Sequence, residues 1–415
     1  MITYIKNNCK IPANYVKTLF KWLILAGLVG ALGGFVGSAF HISVDWVTEL
    51  RIEFGWILYL LPLGGLVITA FYRIFRSKGH IDTNRVLEAV RSDEKVPLVM
   101  VPLIFVSTVI THLLGGSAGR EGAALQLGGS VGYNVGKVFK LKENDRHIIV
   151  MAGMSSVFAA LFGTPMTAAV FALEVVNVGV LHYAGLLPCV IASVTAFLIS
   201  GWLGIPPVRF NVAVQAVTAL GLAQVAVLAV LCAVVSILFC TAIKKCEHYG
   251  DKLITNQYVR ALVGSILIIL LALVLRSRDY NGAGMDIIAR ALGGEAKPEA
   301  FLLKIIFTAI TITAGFKGGE IVPAFFVGST FGCVVGSLLG LDAGFAAAIG
   351  FVALFCGAVN CPLASLLLSV EVFGAEGILF FAITCGISYM MSGHFGLYKS
   401  QKFMYSKLDD SPVEN

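Results

Sequence analysis

The strongest constraint on this chain is that it is written twice. The stretch beginning Gly119-Arg120-Glu121-Gly122 lies in register over the stretch beginning Gly319-Glu320-Ile321-Val322, and the match carries Gly128 onto Gly328 and Gly132 onto Gly332. A second block keeps nearly the same offset and pairs Pro165 with Pro362 and Glu174 with Glu371. Glycine, proline and glutamate pair too consistently in one register for composition to explain. The chain therefore reads as one domain over 1–415 made of two related halves, repeat 1 over about 18–205 and repeat 2 over about 215–400. Residues 402–415 form a short tail.

The solvent for this fold is lipid. Hydrophobic residues make up 58% of the chain and charged ones 13%, against about a quarter charged in soluble domains. Apolar runs at 22–40, 57–71, 96–110, 219–242, 263–275 and 378–392 recur from end to end, several near bilayer length. Lys6, Lys10, Lys17 and Lys21 precede the first run without a small-residue cleavage site, so it is expected to be a retained helix and not a signal peptide. A second basic group, from Arg73 to Lys95, follows the second run, which places the N-terminus and this loop in the cytoplasm. The net charge of +6 is then membrane topology; the basic residues form no stripe, and no nucleic acid is expected as a partner. The nine cysteines and seven histidines are scattered singly, which predicts neither disulfides nor a metal site.

Several segments are too short to cross the bilayer alone, among them 147–162, 166–173 and 363–370. Backbone freed from helical bonding at membrane depth is tolerated only where it is buried in protein or lines a cavity, so matched broken segments mark a binding site. The expected fold is an all-α polytopic membrane protein with two inverted repeats and broken, re-entrant helices. Paired helix N-termini offer unpaired N–H groups and about half a positive charge each, which suits a small anion. Gly128 and Gly132 are explained by close helix packing. Arg120 and Glu121, charged and placed at the head of an apolar helix, are not, and they are the first functional candidates. No nucleophile and base constellation suggests an enzyme, and no cofactor is expected.

On these residues the chain resembles the CLC family of chloride channels and anion/proton antiporters, from the first helix to Tyr398. Gly119-Arg120-Glu121-Gly122-Ala123 is similar to the family signature GREGP, with Ala123 in place of proline. The resemblance implies that Glu121 is the external gate, which competes with anions and carries protons. Gly318-Gly319-Glu320-Ile321-Val322-Pro323 resembles the second signature, GxFxP, with the aromatic residue absent and Glu320 preceding Ile321, a form similar to the fluoride-exporting branch. The implied anion site draws on Gly119, Arg120, Gly122, Glu320, Ile321 and Val322. Tyr398 is similar to the tyrosine at the inner end of the anion pathway, and interfacial anchoring is its competing explanation. The first signature, GSGIP, is absent; the equivalent segment over 79–87 offers Ile81, Asp82, Thr83 or Asn84 at the anion site. Val175 stands where many antiporters carry an internal proton glutamate, while Glu174 and Glu371 are assigned to the ends of short helices.

The implied function is a proton-coupled halide antiporter exporting fluoride or chloride. Glu121 would occupy the pathway when ionised and swing aside when protonated. A passive chloride channel is the alternative, and a secondary transporter of an organic substrate is the unrelated one. The expected partners are halide ions, protons, the lipid bilayer and a second copy in a homodimer, and the expected location is the plasma membrane. The short tail leaves no room for the paired regulatory domains of some relatives, so nucleotide regulation is not expected.

Overall fold

The computed structural model describes residues 2–75, 82–92, 94–409 and 411–413, with side chains from residue 14 onward; Ile81 lies outside the described residues. The first half contributes α1 (Ile2–Glu53), α2 (Leu61–Phe75), α3 (Thr83–Ala89), α4 (Met100–Leu114), α5 (Glu121–Val138), α6 (Glu143–Phe162), α7 (Pro165–Glu174) and α8 (Leu186–Trp202). The second half contributes α9 (Ala219–Leu253), α10 (Gln257–Val274), α11 (Met285–Leu292), α12 (Ala300–Thr313), α13 (Ile321–Leu338), α14 (Ala343–Val359), α15 (Pro362–Phe373) and α16 (Ile378–Met391). The two sets correspond in order: α5 and α13 have 18 residues each, α3 and α11 have 7 and 8, α7 and α15 have 10 and 12. An extended segment over 205–218 joins them.

Which helices face lipid follows from which side chains stay outside. On α10 the exposed residues Val263, Ile266, Leu267, Leu270 and Leu273 repeat at helical spacing, as do Val227, Leu231, Val234 and Leu238 on α9. Apolar stripes of that extent are at home against acyl chains, not water. Among the described residues 7 helical segments are long and apolar enough to cross a membrane. Glu143–Phe162 is one of them, which corrects the reading of 147–162 as too short: its polar first turn, with Glu143 and Asp145, extends the helix to 20 residues. By contrast α14 is buried on all sides from Gly344 to Val359, and α5 and α13 are buried along most of their length.

Small residues let these inner helices touch backbone to backbone. A methyl group at Gly128 would collide with the Gly153 carbonyl of α6, and one at Gly132 with the Ile149 carbonyl. The second half repeats the arrangement, with Gly328 against Gly350 and Gly332 against Ala346 of α14. The packing explanation for Gly128 and Gly132 is therefore the observed one.

The two proline-started helices cap each other. Glu371, near the end of α15, accepts from the backbone N–H of Met166 (3.0 Å) and Thr167 (2.8 Å) and from the Thr167 hydroxyl (2.6 Å) at the start of α7. Glu174, the last residue of α7, accepts from Leu363 N (3.1 Å) and Ala364 N (2.8 Å) at the start of α15. Each carboxylate satisfies N–H groups that a helix start leaves unpaired, and each adds favourable charge at the positive end of the partner's dipole. Proline at the first helical position of both helices needs no such partner. Two short strands, β1 (Asn177–Val178) and β2 (Lys402–Phe403), then pair in parallel and bind the tail beneath this helix pair.

Candidate functional site

The second matched pair of helix starts is uncapped, and it forms the site. α4 ends at Gly115 and α12 runs out at Gly315; both glycines take left-handed backbone (φ 85° and 92°), which turns the chain sharply out of the helix. The following loops exchange hydrogen bonds across the pseudo-twofold axis: Ser117 N donates to the Thr311 hydroxyl (3.0 Å) and Lys317 N to the Thr111 hydroxyl (3.2 Å). Gly119 and Gly319 then pair reciprocally, each N donating to the other's carbonyl at 2.7 Å. This pair sits where the two halves meet and brings the starts of α5 and α13 face to face.

Neither N-cap residue, Arg120 or Glu320, turns its side chain back onto its own helix. The orphan N–H groups of both helices are left for another acceptor, and that acceptor is Glu121. Its side chain is 0% exposed; Oε2 accepts from Val322 N at 3.3 Å, and the carboxylate also lies within reach of the backbone N–H groups of Arg120 and Glu121. Oε1 is buried with no hydrogen-bond partner. The scaffold is symmetric and its chemistry is not, because the counterpart of Glu121 is Ile321. Gly122 stands so close to Gly319 that a methyl group there would press on the Gly319 backbone at 3.1 Å. The Arg120 side chain pairs with Asp45 of α1 at 2.8 Å and still lies close enough for its charge to favour the Glu121 carboxylate, so Arg120 contributes both backbone and charge here.

Two cavities flank Glu121 from opposite ends, and no residue lines both; they are termed inner and outer for the orientation that the basic segments of the sequence imply. The inner one, about 180 Å³, is lined by Asp82, Thr83, Asn84, Gln126, Glu320 and Tyr398 among others. It gathers the candidates of the missing first signature with Glu320 and Tyr398, which lie far away in sequence. Their roles differ. Asp82 caps α3 by accepting from Arg85 N at 3.0 Å, and Asn84 Oδ1 accepts from Ser400 N at 3.0 Å, which ties the segment to the tail. Thr83 donates to the Gly122 carbonyl at 3.4 Å and receives Gln126 Nε2 at 3.0 Å, so it alone of these three touches α5. Tyr398 is 6% exposed and its hydroxyl is buried without a partner, which separates it from an interfacial anchor. Val175 is fully buried, and its carbonyl accepts from Gln401 Nε2 at 3.0 Å.

The outer cavity, about 500 Å³, lies at the far end of α1 and is floored by Arg120, His112 and Val322. Sequence reading missed most of it. Arg51, His112, Arg278 and Asp286 stand singly in the sequence, outside the repeated blocks, and no pattern marks them. Asp286 lies in the first turn of α11 and lines this cavity. Gln126 and Lys317 of the inner cavity were missed as well, although both stand within or beside the repeated blocks. The Thr111 and Thr311 pair, matched at the repeat offset, was legible in principle.

Among the described residues no group of three or more metal-ligating side chains exists, and the described cysteines are free. The arrangement is suited to hold a small monovalent anion on backbone N–H groups, with one carboxylate competing for the same donors.

Comparison with known proteins gives the same picture. Residues 64–393 match the family described as voltage gated chloride channel. A chloride/fluoride channel protein of Pseudomonas syringae pv. tomato is 36% identical over 395 residues, covering 93% of this chain and 87% of the relative. An H(+)/Cl(-) exchange transporter of Vibrio campbellii is 25% identical over 391 residues, covering 85% and 82%. Among solved structures, a CLC-type fluoride/proton antiporter superposes with a TM-score of 0.88 at 31% identity, covering 93% of this chain and 98% of the other.

Proposed function

Since the chain belongs to the CLC family of voltage gated chloride channels and their antiporter relatives, we propose that it is a halide transporter that expels fluoride in exchange for protons. The observation that carries this reading is Glu121, fully buried at the junction of two uncapped helix starts and bonded to the N–H of Val322 at 3.3 Å. An ionised carboxylate there fills the place an anion needs. Protonation weakens its hold on the N–H donors, releases it and admits the halide to the same donors, so anion and proton alternate at one site.

Fluoride is small and strongly hydrated, and stripping its water demands close, strong donors. The N–H groups around Glu121, Ile321 and Val322 supply them, with Gly119 and Gly122 leaving the backbone accessible and Tyr398 offering a free hydroxyl from the inner side. Thr83 is the residue of the first-signature segment placed to contact an ion; Asp82 and Asn84 hold that segment in place. Glu320 lines the inner cavity and interacts electrostatically with Glu121, which makes it the internal proton station in a chain that has Val175 at the usual position. The channel alternative draws its support from the same Val175.

Fluoride or chloride efflux from proteoliposomes, recorded with external pH, tests the proposal. Fluoride efflux coupled to proton movement, with the coupling abolished by Glu121→Gln, is the expected result; halide efflux without proton movement in the wild type makes the protein a channel. The same reading places the protein in the plasma membrane with its N-terminus in the cytoplasm, as a transporter and not an enzyme. It also assembles as a homodimer through the later helices of each repeat, where Leu187, Leu198, Leu363 and Leu379 are exposed.

A further inference from the structure

The charges around the outer cavity do not pair off. Its three carboxylates are engaged: Asp45 by Arg120 (2.8 Å) and His41 (2.9 Å), Asp279 by Lys297 (2.8 Å) and Arg290 (3.6 Å), Asp286 by Arg290 (3.9 Å). Arg51 and Arg278 both line the cavity and neither forms an ion pair with a carboxylate among the described residues, although Asp286 lies close enough to attract Arg51 and Arg278 close enough to repel it. Arg51 Nη1 is buried with no hydrogen-bond partner. Deeper in, His112 is 1% exposed and its Nε2 has no partner.

The backbone makes room for these cations. A methyl group at Gly282 would collide with the Arg51 guanidinium, and one at Gly55 with that of Arg278. Lys304, fully buried on α12, donates to the carbonyls of Gly282 (2.7 Å) and Tyr280 (3.3 Å), so a third cation holds the loop that covers Arg51. Arg51 is half-buried and Arg278 exposed, so two positive charges without an ion-pair partner face one cavity, an arrangement that favours an anion between them.

We propose that Arg51 and Arg278 form an outer anion-capture site, separate from the donors around Glu121, that takes a partly hydrated monovalent anion between the external medium and the gate. The volume of about 500 Å³ leaves space for such an ion with water, and the floor at Arg120, His112 and Val322 leads to Glu121. The site concentrates halide on the outer side alone. The inference rests on the transporter reading for its role in flux, and its ion binding stands apart from that reading.

The test uses right-side-out and inside-out membrane vesicles carrying wild type, Arg51→Gln, Arg278→Gln, the double variant and Arg51→Lys. Arg276→Gln removes an exposed cation of the same loop that lines no part of the cavity and serves as control. Fluoride uptake is followed as outer fluoride is varied. Each single variant is expected to raise the outer KM about fivefold and the double variant tenfold or more, with maximal rate and inner KM unchanged. Arg51→Lys keeps most of the wild-type affinity, which separates charge from packing, and Arg276→Gln stays within twofold of wild type. An outer KM within twofold of wild type in the folded double variant overturns the site. Bromide soaked into crystals of the wild type is the second readout. If the wild type moves no halide, the transport reading falls, and anomalous density for bromide between Arg51 and Arg278 decides the capture site alone: its presence sustains the site and its absence sinks it.

Discussion

Removing Glu174 should expose how much the reciprocal caps hold. In the folded chain this carboxylate is 6% exposed and accepts from Leu363 N and Ala364 N at 3.1 and 2.8 Å. Glu174→Ala leaves two buried N–H groups without an acceptor, and each such loss costs about 1–3 kcal/mol, or about 2–6 kcal/mol together. Glu174→Gln keeps one carbonyl oxygen and loses the charge, so it should forfeit about half of that. At roughly 1–2 °C per kcal/mol for a chain of this length, the apparent melting midpoint falls by about 2–12 °C for alanine. Size-exclusion thermostability in detergent at one fixed heating schedule measures it. Glu174 lines neither cavity beside Glu121, so the proton-to-halide ratio should be unchanged in both variants. A loss below about 1 °C for alanine, or glutamine as damaging as alanine, refutes the capping account. A changed coupling ratio refutes the division between structural and proton-carrying glutamates.

Other outcomes follow from the same geometry. Tyr398→Phe deletes a buried hydroxyl that bonds to nothing in the protein, so thermal stability should hold while fluoride KM rises about threefold to tenfold, roughly the worth of one hydrogen bond. Gly332→Leu drives a branched side chain into the Ala346 carbonyl, and no monodisperse protein should elute on size exclusion. Asp279 lies in the loop between α10 and α11; burial would raise its pKa, but the Lys297 hydrogen bond and charge, with Arg290 beside them, hold it below the ordinary aspartate value. A depressed carboxylate contributes stability that is present above its unfolded pKa, about 3.9, and is lost as pH falls through the lower folded value. Amide exchange in this loop should therefore accelerate below about pH 4 in wild type, and Asp279→Asn should exchange fast at neutral pH and lose the acid step.

How far the site was legible in the sequence depended on chain separation. Glu121 stood out because a charge inside a repeated block, at the head of an apolar helix, has no ordinary structural use, whereas Ile321 and Val322 were assigned by resemblance to the second signature. Tyr398 and Thr83 were found by resemblance, and nothing in their local patterns told a site residue from an anchor or a loop polar group. Arg51, His112 and Arg278 carried no signal, since a lone arginine at a helix end reads as topology.

The sequence by itself determined that the chain lives in lipid, that it is built twice, and that one glutamate breaks the symmetry of the two halves. Those properties are local or periodic: hydrophobic run length, register and a charge out of place. The tertiary structure alone decided which broken helices keep their starts free of a side-chain cap from the partner helix's end. The proline-started pair is sealed by Glu174 and Glu371, and the glycine-started pair is left open, with Glu121 bonded to Val322 across the twofold axis. The difference lies in which carboxylate reaches which unpaired N–H. Residues about 200 positions apart settle that, and only packing brings them within hydrogen-bond distance, 2.8 Å to 3.3 Å.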